Sequence, residues 1–217
     1  MKPTGIAFDY DYTLGDSTKG ILICANEALS RLGWPPFSAE QIQKTIGMSL
    51  KETYRALTGD PSPEHAQAYH LYFREKAQEV MAPNASFYPG AAELLKQLVE
   101  EGYLLGIVTS KQRLQIEKIL QLHHLRPYFE TVLGGDDVSA EKPDPEGLLR
   151  VQSEWKLQPQ QLLYIGDSLV DAKTAQRAAL PFVAVTTGVT PQEAFSPFPC
   201  CAILNSLQEL LPFLESL

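Results

Sequence analysis

Short runs of apolar residues alternate along this chain with longer segments in which apolar residues recur every three or four positions. The runs are typical of strands buried on both faces of a parallel sheet, and the periodic segments are typical of amphipathic helices. The alternation predicts an α/β fold with a doubly wound parallel sheet. The predicted strands are residues 4–9, 103–109, 131–133, 161–165, 182–185 and 201–205. The predicted helices that cover them are residues 113–122, 144–155, 169–179 and 207–214, with a further helix between Pro89-Gly90 and Gly102.

Four predicted helices without a strand interrupt this alternation between residues 16 and 87. Connections inside α/β units are normally only a few residues longer than their helix. The stretch 16–87 is therefore predicted to be a separate all-helical lobe, inserted into a core made of residues 1–15 and 88–217. The helices of the lobe are residues 21–32, 39–46, 50–57 and 65–80.

The charge of the chain limits its partners. It has 217 residues, a net charge of −8 and a pI near 5.0, without a run of Lys or Arg. This balance argues against nucleic acid or an anionic membrane as a partner. No apolar stretch approaches the length that spans a membrane, and the start has no signal-like segment. Three cysteines, an odd number, suit reduced thiols, so we expect a cytoplasmic monomer or homodimer.

Two carboxylates two residues apart follow the first predicted strand, at Asp9 and Asp11. Residues i and i+2 of an extended chain project to the same side, so both side chains can address one ligand. Ligands of open α/β sheets bind at the carboxyl ends of the strands. Two anions held this close favour a hard divalent cation such as Mg²⁺. By itself, however, an aspartate at a strand end is more often a turn former or a helix cap.

Polar residues also follow other predicted strands, in a fixed order along the chain. Thr109 and Ser110 end the second strand, Lys142 follows a Gly-Gly-Asp-Asp loop, and Asp167 and Asp171 follow the strand 161–165. This arrangement resembles the haloacid dehalogenase superfamily of aspartate-nucleophile phosphotransferases. All four motifs of that superfamily are present, and the resemblance extends over nearly the whole chain. It implies a Rossmann-like core and identifies the helical insert as a cap.

The resemblance implies a role for each polar residue of the core. Asp9 would be the nucleophile that forms an aspartyl-phosphate, and Asp11 would protonate the leaving alkoxide and later activate water. Mg²⁺ would be bound by Asp9, by the backbone carbonyl of Asp11 and by Asp167. Lys142 would neutralise the nucleophile and the phosphoryl oxygens as a point charge.

The remaining site residues are expected to support this chemistry. Thr109 and the backbone N–H of Ser110 would hold a phosphoryl oxygen, and Asp171 would orient a ligand of the metal without binding the metal itself. Each of three of these residues also has a purely structural interpretation. Asp167 could be a helix N-cap, Lys142 could be an exposed loop residue, and Thr109 could be a strand-end residue that forms hydrogen bonds with local backbone groups.

The chain departs from the superfamily pattern at two positions. Tyr12 stands where glycine is usual, and Ser110 where asparagine is common. Tyr12 would narrow the pocket, stack on the substrate, or lie outward. In the insert, Gly47-Met48-Ser49 resembles the specificity loop of phosphoglycolate phosphatase-like relatives. The possible substrate contacts there, which equally suit a solvated helix face, are Lys51, Arg55, Tyr72 and Arg74.

These observations predict a Mg²⁺-dependent phosphatase that hydrolyses a small phosphorylated metabolite and resembles phosphoglycolate phosphatase. Sugar phosphates, nucleoside monophosphates and pyrophosphate are competing substrates. A phosphosugar mutase of the β-phosphoglucomutase type would share every motif of the core. A receiver-type signalling domain also combines aspartates, a hydroxyl and a lysine with Mg²⁺, but its phosphorylated aspartate lies in the middle of a much shorter chain.

Overall fold

The computed structural model describes residues 2–217. Its strands are β1 (Gly5–Phe8), β2 (Gly15–Asp16), β3 (Ser86–Phe87), β4 (Leu104–Val108), β5 (Thr131–Leu133), β6 (Leu162–Gly166), β7 (Phe182–Val185) and β8 (Cys200–Leu204). Its helices are α1 (Thr18–Arg31), α2 (Ala39–Gln43), α3 (Leu50–Thr58), α4 (Pro63–Val80), α5 (Ala91–Glu100), α6 (Arg113–Leu122), α7 (Glu146–Glu154), α8 (Leu169–Ala178) and α9 (Leu210–Glu215). Six strands form one sheet in the order β5-β4-β1-β6-β7-β8, and all its neighbouring strands are parallel. The predicted α/β class with a doubly wound parallel sheet is confirmed.

The sheet is buried as its sequence predicts. Every residue of β1, β6 and β7 is buried, because helices cover a parallel sheet on both faces. One core cluster joins residues of β6 and β7, among them Leu162 and Phe182, to Leu148 of α7 and to Ala172 and Ala175 of α8. Within residues 2–217, no helix is both long and apolar enough to cross a membrane.

The chain forms two compact units. One contains the residues up to Asp16 together with Phe87–Leu217, and includes the six-stranded sheet. The other is Ser17–Ser86, in which α4 packs against α1 and α3. The core of this helical unit includes Tyr54 and Tyr69, both fully buried, with ring centroids 5.5 Å apart.

Some elements differ from the prediction. The stretch between β1 and the Pro89-Gly90 turn was expected to hold no strand, yet β2 and β3 lie there. Each has only two residues, too short to show an alternating pattern. Helix α4 begins at Pro63 rather than at residue 65, because Ser62 caps its first turn and Pro is favoured at the first helical position. Helix α2 ends at Gln43, three residues before its predicted end at residue 46.

The sheet brings three polar residues together at the carboxyl ends of its central strands. Strand β1 lies between β4 and β6, and Phe8 is level with Ile107 on one side and Ile165 on the other. The residues that follow these strands therefore lie side by side at their carboxyl ends, where α/β folds bind ligands. These residues are Asp9, Thr109 and Asp167.

Candidate active site

Three buried carboxylates converge at the ends of β1 and β6. Asp9, Asp167 and Asp171 are at most 5% exposed, and each offers an oxygen atom within 4.8 Å of the others. The N-cap of α8 is Ser168, which excludes the reading of Asp167 as the cap of that helix. Asp171 is the third residue of α8, and the capping box turns its carboxylate back toward the start of the helix.

Asp171 is the most heavily hydrogen-bonded member of this cluster. It accepts from Lys142 Nζ at 2.7 Å, from the Tyr164 hydroxyl at 2.8 Å, and from the backbone N–H of Ser168 at 3.1 Å. Burial opposes ionisation of Asp171, but the Lys142 ammonium and these hydrogen bonds outweigh it and hold its pKa below the usual value. Asp171 is therefore a fixed anion.

Lys142 joins Asp171 to Asp9. Its Nζ lies 3.0 Å from Asp9 Oδ2, and the lysine is 8% exposed. Burial alone would lower the pKa of Lys142, but Asp171 and Asp9 raise it above the usual value, so the ammonium stays charged. Burial raises the pKa of Asp9 to about 6; Lys142 opposes this rise, and the charges of Asp171 and Asp11 add to it. The pKa of Asp167 is likewise raised, first by burial and then by Asp171 and Asp9.

The loop before α7 holds Lys142 in position. The Glu146 carboxylate accepts hydrogen bonds from the backbone N–H groups of Ser139, at 3.0 Å, and Ala140, at 3.1 Å. Arg177 Nη1 donates to the carbonyl of Pro143 at 3.0 Å. The loop is thus tied on both sides of Lys142, and the reading of Lys142 as an exposed loop residue is wrong.

Asp11 lies beside a second lysine. Lys111 Nζ is 3.0 Å from Asp11 Oδ2, and the two side chains are 7% and 11% exposed. The other oxygens, Asp9 Oδ1 and Asp11 Oδ1, are buried and lack a hydrogen-bond partner among the described residues. A buried carboxylate oxygen without a hydrogen-bond partner lowers the stability of the folded protein.

The donor set fits a divalent cation. Four buried carboxylates (Asp9, Asp11, Asp167 and Asp171) face two lysine ammonium groups, which leaves a formal excess of two negative charges. Mg²⁺ is bound in proteins through oxygen ligands, usually one or two carboxylates together with water, and this cluster offers enough of them. Asp9 Oδ1, which is buried without a hydrogen-bond partner in residues 2–217, is an oxygen that such a cation would satisfy.

Tyr12 does not lie outward. It is 7% exposed and adopts φ 60°, in the left-handed region where glycine is favoured. Its carbonyl accepts a hydrogen bond from the Thr187 hydroxyl, and its N–H donates to Gly15 O at 2.7 Å. These hydrogen bonds stabilise a backbone conformation that a tyrosine seldom adopts. Thr13, next to it, lies 3.4 Å from Asp167 Oδ1.

Thr109 and Ser110 line a small cavity. Lys142 lines the same cavity, together with the glycines that follow β5. Thr109 is 4% exposed, and its hydroxyl accepts from the backbone N–H of Lys111 at 3.3 Å. Thr109 thus forms the local backbone hydrogen bond that is expected of a hydroxyl at the end of a strand.

Comparison with known proteins decides the family. The family model described as haloacid dehalogenase-like hydrolase matches residues 6–185. The chain belongs to this family. It is 32% identical to the phosphoglycolate phosphatase of Salmonella typhimurium and 31% identical to that of Escherichia coli K12, and each match covers 97% of this chain and 92% of the relative. A solved structure from Bacteroides fragilis, described as a haloacid dehalogenase-like hydrolase, is 36% identical with a TM-score of 0.93, covering 96% of this chain and 100% of that chain.

Membership of the haloacid dehalogenase-like family confirms the predicted class of enzyme, a phosphoric monoester hydrolase. The expected resemblance to the phosphoglycolate phosphatase group is also confirmed. The buried acidic cluster agrees with the use of a divalent metal, which is general among phosphatases of this family.

The site brings together all seven residues named from the sequence, which are Asp9, Asp11, Thr109, Ser110, Lys142, Asp167 and Asp171. Sequence reasoning missed Lys111, Tyr164 and Gly188. Lys111 directly follows the Thr109-Ser110 motif, so its position in the sequence could have identified it as a site residue. Tyr164 reads as one more apolar residue of a buried strand, and Gly188 is remote from every motif.

Proposed function

We propose that this protein is a Mg²⁺-dependent phosphatase that hydrolyses a small phosphomonoester through an aspartyl-phosphate on Asp9. The observation that carries the proposal is the state of Asp9. One of its oxygens is paired with Lys142 at 3.0 Å, and the other is buried without a hydrogen-bond partner in residues 2–217. A carboxylate held in this way by one cation is oriented for nucleophilic attack.

The metal would be held by the side chains of Asp9 and Asp167 and by the backbone carbonyl of Asp11, with Asp171 orienting its surroundings. When bound, Mg²⁺ supplies positive charge that offsets the carboxylates and the phosphoryl oxygens. Asp9, Asp167 and Asp171 supply three carboxylates to the one ammonium group that pairs with them, Lys142, and this excess of negative charge supports the assignment.

In the first step, a carboxylate oxygen of Asp9 attacks phosphorus and forms the P–O bond of an aspartyl-phosphate. The bond from phosphorus to the ester oxygen breaks, and its electron pair goes to that oxygen. Asp11 gives its proton to the same oxygen, so an alcohol leaves. Lys142 remains beside Asp9, and Thr109 and the Ser110 N–H hold phosphoryl oxygens.

In the second step, Asp11 takes a proton from water as the water oxygen attacks phosphorus. The P–O bond to Asp9 breaks, inorganic phosphate leaves, and the Asp9 carboxylate is restored. Asp11 is again protonated and ready for the next ester. Because Asp11 acts as acid and then as base, one side chain serves both steps.

The division of the chain supports a core that carries the chemistry and a helical cap that selects the substrate. The core would be residues 1–15 with 88–217, and the cap residues 16–87, close to the two compact units. Cap residues would exclude bulk water from the reaction. We further propose cytoplasmic localisation, as a monomer or homodimer.

The substrate is proposed to be 2-phosphoglycolate or an ester of similar size, since relatives of this chain over almost its full length are phosphoglycolate phosphatases. The test is phosphate release from 2-phosphoglycolate, hexose phosphates, nucleoside monophosphates and pyrophosphate. Parent and Asp9→Asn enzymes are compared with Mg²⁺ and with a chelator. Release that needs both Asp9 and Mg²⁺ is expected. A turnover-inactive parent that still accepts phosphate from an activated donor would instead favour the mutase.

A further inference from the structure

The two buried lysines of the site form ion pairs with three of its four carboxylates. Lys142 pairs with Asp9 and Asp171, at 3.0 and 2.7 Å. Lys111 pairs with Asp11, at 3.0 Å. In the proposed mechanism Asp9 meets phosphorus and Asp11 meets the ester oxygen that leaves. Lys111 therefore lies on the side of the site that receives the leaving group.

The position of Lys111 is set by its backbone. Its N–H donates to Thr109 Oγ1 at 3.3 Å, and its carbonyl accepts from Gly135 N at 3.0 Å. The loop after β5 approaches it closely, because a Cβ at Gly134 would lie 2.7 Å from the carbonyl oxygen of Lys111. The Lys111 ammonium also lies 5.8 Å from the centroid of the buried Tyr10 ring. An ammonium group whose position is fixed in this way can discriminate between ligands.

We propose that Lys111 binds an anionic group on the leaving part of the substrate, and that it thereby makes the enzyme selective for esters of hydroxy acids. This inference rests on the proposed phosphatase function. Asp11 has to contact the ester oxygen, and Lys111 contacts Asp11. In an ester as short as 2-phosphoglycolate, a single methylene group separates the carboxylate from that oxygen, so the carboxylate comes next to Lys111. Hydrogen bonds between an ammonium and a carboxylate are strong where water is excluded.

A purely positioning role for Lys111 predicts a different pattern of defects. If Lys111 only orients Asp11, its loss slows every ester whose leaving group needs a proton. If it binds the carboxylate, its loss affects anionic leaving groups above all. Three esters separate the roles: 2-phosphoglycolate; ethyl phosphate, of the same length without a carboxylate; and p-nitrophenyl phosphate, whose leaving group departs without a proton.

The experiment measures kcat and KM for these esters with Mg²⁺ in the parent, Lys111→Met and Lys111→Arg. Exposed Lys96→Met removes a lysine outside the site and serves as the matched control. We expect the parent to prefer 2-phosphoglycolate over ethyl phosphate by at least tenfold in kcat/KM. Lys111→Met is expected to lower this ratio by about 10- to 150-fold, mainly through KM, the range for a hydrogen bond to a charged group. Lys111→Arg and the control keep most of the ratio.

A ratio that falls less than tenfold in Lys111→Met overturns the proposal, as does equal loss on 2-phosphoglycolate and ethyl phosphate. If Lys111→Met does not fold, as judged by circular dichroism, the parent ratio decides: a preference below tenfold overturns the proposal. A parent that hydrolyses all three esters equally well leaves the phosphatase function standing and removes only the role of Lys111. A parent that releases phosphate from none of them contradicts both.

Discussion

At the scale of single residues, a glycine that is distant in sequence lies close to the carboxylate of Asp167. A Cβ on Gly188 would lie 1.9 Å from Asp167 Oδ2 and 3.1 Å from the Cβ of Tyr12. The loop after β7 can therefore approach the carboxylate only where the residue has no side chain. This contact links the loop to the proposed metal ligand.

We expect Gly188→Ala to weaken Mg²⁺ binding by at least about tenfold, because the new methyl group would displace the Asp167 carboxylate. Calorimetric titration with MgCl₂ measures the affinity directly. Val189→Ala, at an exposed neighbour, is the matched control and should bind Mg²⁺ like the parent. Unchanged affinity in Gly188→Ala would show that Asp167 does not hold the metal.

The Tyr164 hydroxyl is expected to stabilise the site. It donates to Asp171 and accepts from Lys142 at 3.2 Å, so Tyr164→Phe should cost about 1–3 kcal/mol of unfolding free energy. Tyr103→Phe removes a buried hydroxyl that has no hydrogen-bond partner within residues 2–217, and should cost almost nothing. Urea unfolding of both variants measures the difference. Equal losses would contradict this assignment.

The candidate site residues that could be named from the sequence are those that belong to a motif. Asp9, Asp11 and Lys142 could be named because their spacing and their positions after strands and loops identify them. Tyr164 and Gly188 could not, because their importance comes from contacts between segments distant in sequence. Tyr12 was left open between three readings, and its burial with φ 60° excludes the outward one.

At the scale of elements, the first turn of α8 serves the helix and the site together. Ser168 caps the helix by accepting from the N–H of Asp171, and Asp171 in return accepts from the N–H of Ser168. The same carboxylate pairs with Lys142. Helix capping therefore fixes an anion of the active site.

Ser168→Ala should lower stability by about 1 kcal/mol and also lower kcat, because Asp171 loses one of its anchors. Ser38→Ala breaks an equivalent capping box at α2, a helix of the Ser17–Ser86 unit that holds none of the candidate catalytic residues. It should lower stability by a similar amount and leave kcat unchanged. Thermal unfolding and steady-state kinetics on both variants test this. A similar fall in kcat in both would mean that stability alone explains the effect.

The elements of the sheet were predictable because each strand is a short apolar run between turn residues. Two-residue strands such as β2 and β3 give no such signal. The early end of α2 was also missed: the apolar pattern continues to Ile46, but the residues after Lys44 form turns. Local hydrogen bonding, rather than periodicity, decides such ends.

At the scale of the whole molecule, the acidic cluster links stability to pH. The pKa of Asp9 is about 6 in the folded protein and about 4 in the unfolded chain. Between these values the folded protein binds more protons, so its stability falls as the pH rises from about 4 to 6. The lowered pKa of His70, due mainly to burial, acts in the opposite direction over part of the same range. A variant lacking only the Asp9 carboxylate separates the two effects.

The Asp9→Asn variant has no ionisable side chain at position 9. With chelator present, we therefore expect the melting temperature of the parent to fall by a few degrees relative to that of the variant as the pH rises from 5 to 7.5. Added Mg²⁺ should restore the parent at pH 7.5 and stabilise Asp9→Asn less. Differential scanning calorimetry measures both. A constant difference across this pH range would mean that Asp9 does not titrate there.

Detection of a covalent intermediate on Asp9 would test the proposed phosphatase mechanism most directly. The parent enzyme is mixed with 2-phosphoglycolate and Mg²⁺, quenched in acid within milliseconds, digested and analysed by mass spectrometry. We expect a phosphate on the peptide that contains Asp9, lost again as turnover ends, and no phosphorylated peptide in Asp9→Asn. Continued hydrolysis by Asp9→Asn at the parent rate, with no phosphorylated aspartate in either protein, would contradict the proposed mechanism.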